Sequence, residues 1–289
     1  MLFVIGPEDE GRLVSRFLRR QGISHRVLVD LKREPDGLTI GGETAYTNRR
    51  LHAGEELQLF LREPETSDIV PQAGLHLPIA FENEDLFVVD KPAGMAVHPS
   101  PGNRENSVAN ALAAVCAARG EELVFRAIGR LDKDTSGLLL VAKNAIAAGV
   151  LTEAAAAKRM QREYLAVCTG ELPERGTIDA PIGRVDGSVV TRGVREDGAR
   201  AVTHFERLKF KNGYSLARVR LETGRTHQIR VHMAHIGHPL PGDFLYNPDY
   251  RVVHRHALHA FRLTVPLPFT EKIKVFESPL PDDLQDFWK

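Results

Sequence analysis

The chain has 289 residues, with 38 Lys and Arg balanced by 38 Asp and Glu, and a hydrophobic fraction of 43%. That length suffices for one large domain and one small one. A formal net charge of zero excludes attachment to polyanions through a global field, so any contact with nucleic acid requires a local patch. Two cysteines, Cys116 and Cys168, supply neither a disulfide framework nor a metal knuckle. Residues 1–5 are too short for a signal peptide and no apolar run reaches membrane-spanning length, so a cytoplasmic protein with no membrane contact is expected.

Residues 1–61 read as a small α+β module. Residues 2–5 form a candidate strand. In residues 11–21, Leu13, Phe17 and Leu18 recur at helical spacing, with Arg12, Arg16, Arg19 and Arg20 around the rest. Ser24 is placed to cap a second helix that runs to Leu31, and strands follow at 38–40 and 57–61. Residues 12–33 carry seven Lys and Arg against Asp30 alone, either a phosphate-contacting surface or an ordinary solvated helix face. Residues 63–74 are polar and turn-rich and read as a linker.

The larger domain opens near Pro78. Leu86, Phe87, Val88 and Val89 form a strand that Lys91-Pro92-Ala93-Gly94 ends, and residues 95–99 read as an extended return, a hairpin presenting Lys91 and His98. Residues 107–119 are an Ala-rich helix capped by Ser107 or Asn106 and ended at Gly120. Next comes Arg130-Leu131-Asp132-Lys133-Asp134-Thr135-Ser136-Gly137, a turn feeding the apolar run 138–142, which reads as a strand buried on both faces. Asp132 then either satisfies local backbone N–H groups or is an ionised group held at the edge of the core. A helix is expected over 145–157, and a strand over 164–167 starting with Tyr164. Residues 170–200 read as loop and turn. Residues 201–208 and 214–221 alternate as an antiparallel hairpin around Asn212-Gly213. Thr226 is the expected cap of a helix whose one face carries Ile229, Met233 and Ile236. His227, His232, His235 and His238 lie at spacings that suggest metal ligands, although the run has no HExxH pattern, cysteine or Glu. The tail reads as two strands and a short acidic helix.

Three stretches together resemble the RluA-type RNA pseudouridine synthases, in particular the RluD-like members. They are Lys91-Pro92-Ala93-Gly94 with Val97-His98, Arg130-Leu131-Asp132 with Thr135-Ser136-Gly137, and Thr223-Gly224-Arg225-Thr226-His227-Gln228-Ile229-Arg230-Val231-His232. Residues 1–70 are similar, more distantly, to an S4-like RNA-binding domain. The resemblance implies an α+β protein: an S4-like module over 1–70, and over 71–289 a catalytic domain built on a mixed, mainly antiparallel bent sheet flanked by helices and loops. It implies isomerisation of uridine to pseudouridine in structured RNA, with ribosomal RNA favoured over transfer RNA, no cofactor, no metal, and a monomer. Asp132 is implied as the catalytic carboxylate, with Arg230 holding both its oxygens and Tyr164 stacking on the target base. Arg130, Lys91, Thr135, Arg225 and His227 are implied at the substrate. The family often carries His where this chain has Gly129. A noncatalytic RNA-binding protein and a metal-dependent hydrolase using the histidine run are the alternatives.

Overall fold

The computed structural model describes residues 1–62 and 69–289. The N-terminal residues form a four-stranded antiparallel sheet in the order β1-β4-β2-β3, made of β1 (Leu2–Val4), β2 (Leu38–Ile40), β3 (Glu43–Thr44) and β4 (Glu56–Leu59). Helices α1 (Val14–Arg20) and α2 (His25–Arg33) turn Val14, Phe17, Leu18, Val27, Leu28 and Leu31 into its core. Ser24 caps α2 as expected, its hydroxyl accepting from the Val27 N–H at 3.3 Å. The helix stops at Glu34, which is extended because Pro35 follows. Of the expected linker, residues 63–68 lie outside the described residues.

The second sheet has ten strands: β5 (Ile79–Glu82), β6 (Leu86–Lys91), β7 (Arg126–Ile128), β8 (Ser136–Ala142), β9 (Gln161–Thr169), β10 (Arg175–Asp179), β13 (Val202–Lys211), β14 (Tyr214–Leu221), β15 (Leu258–Pro266) and β16 (Ile273–Glu277). Its main path runs β10-β13-β14-β9-β15-β8-β6-β5, with β7 on β8 and β16 on β15. Only β8 and β15 pair in parallel, so the expected mixed, mainly antiparallel sheet is formed. β8 is buried at every position, which explains its unbroken apolar run.

Helix α3 (Val108–Ala117) is capped by Ser107, which accepts from the Asn110 N–H at 3.2 Å. Helix α4 (Ala145–Ala156) is capped by Asn144 and lies between the two sheets. Ala147 and Leu151 pack with Leu86, Leu138 and Leu140, while Ile146 and Val150 belong to the core of the N-terminal module. Gly149 permits that approach: a Cβ there would come within 2.4 Å of Val27 Cγ2.

Three local expectations are corrected. Residues 170–200 hold real strands, β10 and the pair β11 (Ile182–Arg184) and β12 (Arg192–Val194). These are short and lie at the sheet edge or outside the main path, so they carry no long alternation to read. Residues 95–99 do not return along β6, whose partners are β5 and β8; Ala96 instead bridges Ser107. Helix α5 (Gln228–His235) begins one residue later than a Thr226 cap predicts, after His227 in the left-handed region at φ 58°.

Candidate active site

The turn before β8 is held residue by residue. Thr135 N–H bonds the Asp132 carbonyl at 3.1 Å, closing it. The Lys133 carbonyl accepts from Lys91 Nζ at 2.8 Å, and the Asp134 carbonyl from Arg255 Nη1 at 3.1 Å. Thr135 Oγ1 meets His256 Nε2 at 2.7 Å, and Ser136 Oγ meets His259 Nδ1 at 2.9 Å. Asp132 is left half-open at the edge of the core, its side chain 25% exposed.

The cation beside it comes from α5. Arg230 is 2% exposed, and its Nη1 donates to Asp132 Oδ2 at 2.9 Å. The two-pronged contact expected at Asp132 falls elsewhere. Arg230 Nε and Nη2 each donate at 2.7 Å to the two oxygens of Asp243, a fully buried carboxylate that also accepts from the N–H groups of Leu245 and Tyr246. Asp132 thus gets one charge-assisted bond, and among the described residues its Oδ1 accepts none. Burial by itself would lower the Arg230 pKa, but the bonds to Asp243 and the charge of Asp132 outweigh it and hold the guanidinium charged. The rings of Tyr246 and Phe244, 5.2 and 5.7 Å from the guanidinium, cover it further.

His227 completes the corner. The Arg192 N–H donates to the Tyr246 hydroxyl at 3.0 Å, and that oxygen lies 3.1 Å from His227 Nδ1. Burial raises the Tyr246 pKa, which keeps the phenol protonated and able to donate to Nδ1. With Nδ1 as the acceptor, Nε2 carries the proton, 3.9 Å from Asp132 Oδ2. Burial lowers the His227 pKa, so the ring is neutral near pH 7.

Asp132, Arg230, His227, Tyr164, Arg130 and Arg225 share the lining of a cavity of about 580 Å³. Tyr164, on β9, is 7% exposed; it belongs to the main core and shows its remaining edge to this cavity. Arg130 is exposed and has no polar partner among the described residues. Arg225 is partly engaged, its Nε donating to the Arg200 carbonyl at 3.0 Å.

Two residues expected at the substrate are tied into the frame. Lys91 is fully buried, its ammonium shared among the carbonyls of Pro92, Met95 and Lys133, and burial lowers its pKa to about 7. Thr135 is 2% exposed, its hydroxyl 2.7 Å from His256 Nε2, and it also lines the cavity of Asp132. The histidine run disperses: His227 faces Tyr246, His232 bonds Thr203 and the Ala180 carbonyl, and His238 meets the Thr169 carbonyl. Among the described residues no metal-ligand cluster forms.

Asp243, Tyr246 and Arg162 carry no role in the reading of the sequence, although residues 239–246 also resemble a segment of the family. A Gly-Asp pair in a loop is common turn chemistry, and nothing local marks that Asp as fully buried. Arg162 lies against the departure at Gly129. Its guanidinium donates to the Ile128 carbonyl, and a Cβ on Gly129, itself at φ 87°, would lie 2.7 Å from Arg162 Nη1. Arg162 occupies the space into which a side chain at 129 would grow, and it lines the same cavity.

The RNA pseudouridylate synthase family profile matches residues 85–235, from the start of β6 through α5. The chain is 41% identical over 254 residues to the Bacillus subtilis RNA pseudouridine synthase YlyB, covering 86% of this chain and 84% of that one. It is 36% identical over 256 residues to ribosomal large subunit pseudouridine synthase D of Nitrosomonas europaea, covering 86% and 74%. Among solved structures, human RNA pseudouridylate synthase domain containing 1 superposes with a TM-score of 0.60 at 27% identity, covering 72% of this chain and 85% of that one. With two of the three sequence stretches meeting at this cavity and relatives of this similarity over most of their length, the chain belongs to the RNA pseudouridylate synthase family and is an RluD-like pseudouridine synthase.

Proposed function

We propose that this synthase isomerises uridines of large-subunit ribosomal RNA, with Asp132 as the catalytic carboxylate. The observation that carries the assignment is the single bond from buried Arg230 to Asp132 at the mouth of the Tyr164 cavity. It sets a buried cation against the carboxylate and leaves one carboxylate oxygen free for chemistry. The reaction breaks N1–C1′, turns the freed uracil, joins C5 to C1′, and moves the C5 proton to N1. It has no net redox change. Asp132 serves either as nucleophile at C1′ or as base at C2′. The target base has to leave its stack, at a cost of a few kcal/mol, and stacking on Tyr164 offsets part of that.

Large-subunit RNA is favoured by relatives that carry that substrate in their names, in Nitrosomonas, Xanthomonas and Pseudomonas. The N-terminal module adds an S4-like RNA contact in this reading. On α1 and α2 the side chains of Arg16, Arg19, Arg26 and Lys32 are exposed and have no polar partner among the described residues.

Pseudouridine mapping of ribosomal and transfer RNA from cells lacking the gene tests both parts. Complementation with wild type should restore specific ribosomal sites. Asp132→Asn should restore none while melting as the wild type does, and turnover by that variant would end the catalytic assignment. Changing Arg16, Arg19, Arg26 and Lys32 together to Gln should raise KM for ribosomal RNA and flatten its salt dependence. A wild-type KM would remove the module from RNA binding.

A further inference from the structure

A second cavity, of about 640 Å³, adjoins the first. Arg130, Leu131, Asp132, His227 and Arg230 line both, so the catalytic pair forms the partition between them. The second cavity adds Phe244 and His98. Phe244 is 55% exposed, with the Arg230 guanidinium 5.7 Å from its ring and the rest open. His98 is exposed, its ring edge-on to Phe125 at 4.7 Å. Arg130 and Lys133, both exposed and with side chains that have no polar partner among the described residues, line the same space.

We propose that this cavity is a second nucleotide subsite, in which the nucleotide next to the target uridine in the RNA chain stacks on Phe244. The inference rests on the RNA-modifying reading of Asp132 and adds the occupant of the adjoining space. A uridine whose ribose reaches Asp132 and whose base enters the Tyr164 cavity has left its stack, so its neighbour has lost one stacking face as well. The chain must pass the partition, and an exposed aromatic on its far side replaces that lost face. Any base has a π surface, so the contact holds the strand without reading its sequence. Arg130 and Lys133 supply charge for the phosphates on either side. The Arg230 guanidinium behind Phe244 fixes the ring and ties the subsite to the catalytic carboxylate.

The test uses the full-length protein and a stem-loop RNA carrying the uridine found by mapping. Phe244→Ala should raise KM about tenfold or more, and Phe244→Trp should recover most of it. An abasic residue at the one flanking position that fills the subsite should raise the wild-type KM to a similar extent and cost Phe244→Ala little more. A wild-type KM for Phe244→Ala, losses that simply add at every flanking position, or a loss confined to kcat would overturn the proposal, the last marking a disturbed Arg230. A binding arm separates this from the parent reading: single-stranded oligouridylate is titrated against Asp132→Asn and Asp132→Asn/Phe244→Ala. Weaker binding by the double variant supports the subsite even where no RNA is turned over. Equal binding counts against it.

Discussion

At the scale of single residues, the site divides the Arg230 guanidinium unequally. Arg230 meets two carboxylates and gives its fork to the buried one, which leaves Asp132 with a single bond from it. Had the fork gone to Asp132, both its oxygens would be engaged and the carboxylate would be a poorer base or nucleophile. The same economy governs His227. Its Nε2–H faces Asp132 while the Tyr246 phenol donates to Nδ1; in the other tautomer Nδ1–H would donate to the phenol oxygen and Nε2 would turn a lone pair toward the carboxylate. Tyr246→Phe should therefore lower kcat by roughly tenfold, or ~1.4 kcal/mol. It should also shift the acid limb of the pH–rate profile. The bond to Nδ1 stabilises the neutral ring, so its loss raises the His227 pKa from its lowered position, and activity should fall at higher pH than in wild type. His227→Gln should abolish that limb. An unmoved limb in Tyr246→Phe would show that the phenol does not set the state of His227.

At the scale of elements, the turn 132–136 is rigid because separate elements hold it. β6 contributes Lys91, the segment before β15 contributes Arg255 and His256, β15 contributes His259, and α5 contributes Arg230. Three carbonyls around the Lys91 ammonium match its three N–H donors. Lys91→Met removes all three bonds and leaves the carbonyls buried without a donor. A loss of about 2 kcal/mol is expected, read as a melting temperature lower by several degrees, with kcat reduced because the Asp132 turn is no longer fixed to the loop after β6. Wild-type melting and turnover would show the staple to be dispensable. Where a residue sits in or beside regular structure with its own signal, the sequence exposed it: Ser24 and Ser107 as caps and the apolar run behind Asp132, while Arg230 was legible only through the resemblance of residues 223–232 to the family. What stayed hidden depended on partners far along the chain. Lys91 looked like a solvated loop lysine because its acceptors are backbone carbonyls, which carry no residue signature, one of them at position 133. Asp243 looked like turn chemistry because its burial is created by α5 folding over it. Strands β10 to β12 were missed because three to five residues at the sheet's edge leave too little alternation to detect.

At the scale of the whole molecule, α4 joins the two sheets through cores on its neighbouring faces, which predicts that they unfold together, in one transition. That cooperative unit contains several imidazoles held neutral. Burial lowers the pKa of His227, His232 and His259. His256 is lowered furthest, to about 2, by burial first and then by the charges of Arg230, Arg255, His227 and Lys91 around it. An unfolded chain returns each ring to the ordinary value of 6.5. Above that pH the rings are neutral in both states and add no pH dependence. Below it the unfolded chain takes up protons that the folded chain refuses, so stability must fall as the pH falls. His256 alone contributes a slope of about 1.4 kcal/mol per pH unit below 6.5, and the other three steepen it until each titrates in the folded state. Melting followed by circular dichroism between pH 6.5 and 5 should show one transition moving steadily down. His256→Gln keeps an amide facing Thr135 and removes one titrating group, so its stability should fall with a shallower slope by about one proton. A melting temperature that holds level across that range would mean that these rings are charged in the folded protein, and the neutral His227 on which the catalytic corner depends would then be lost with them.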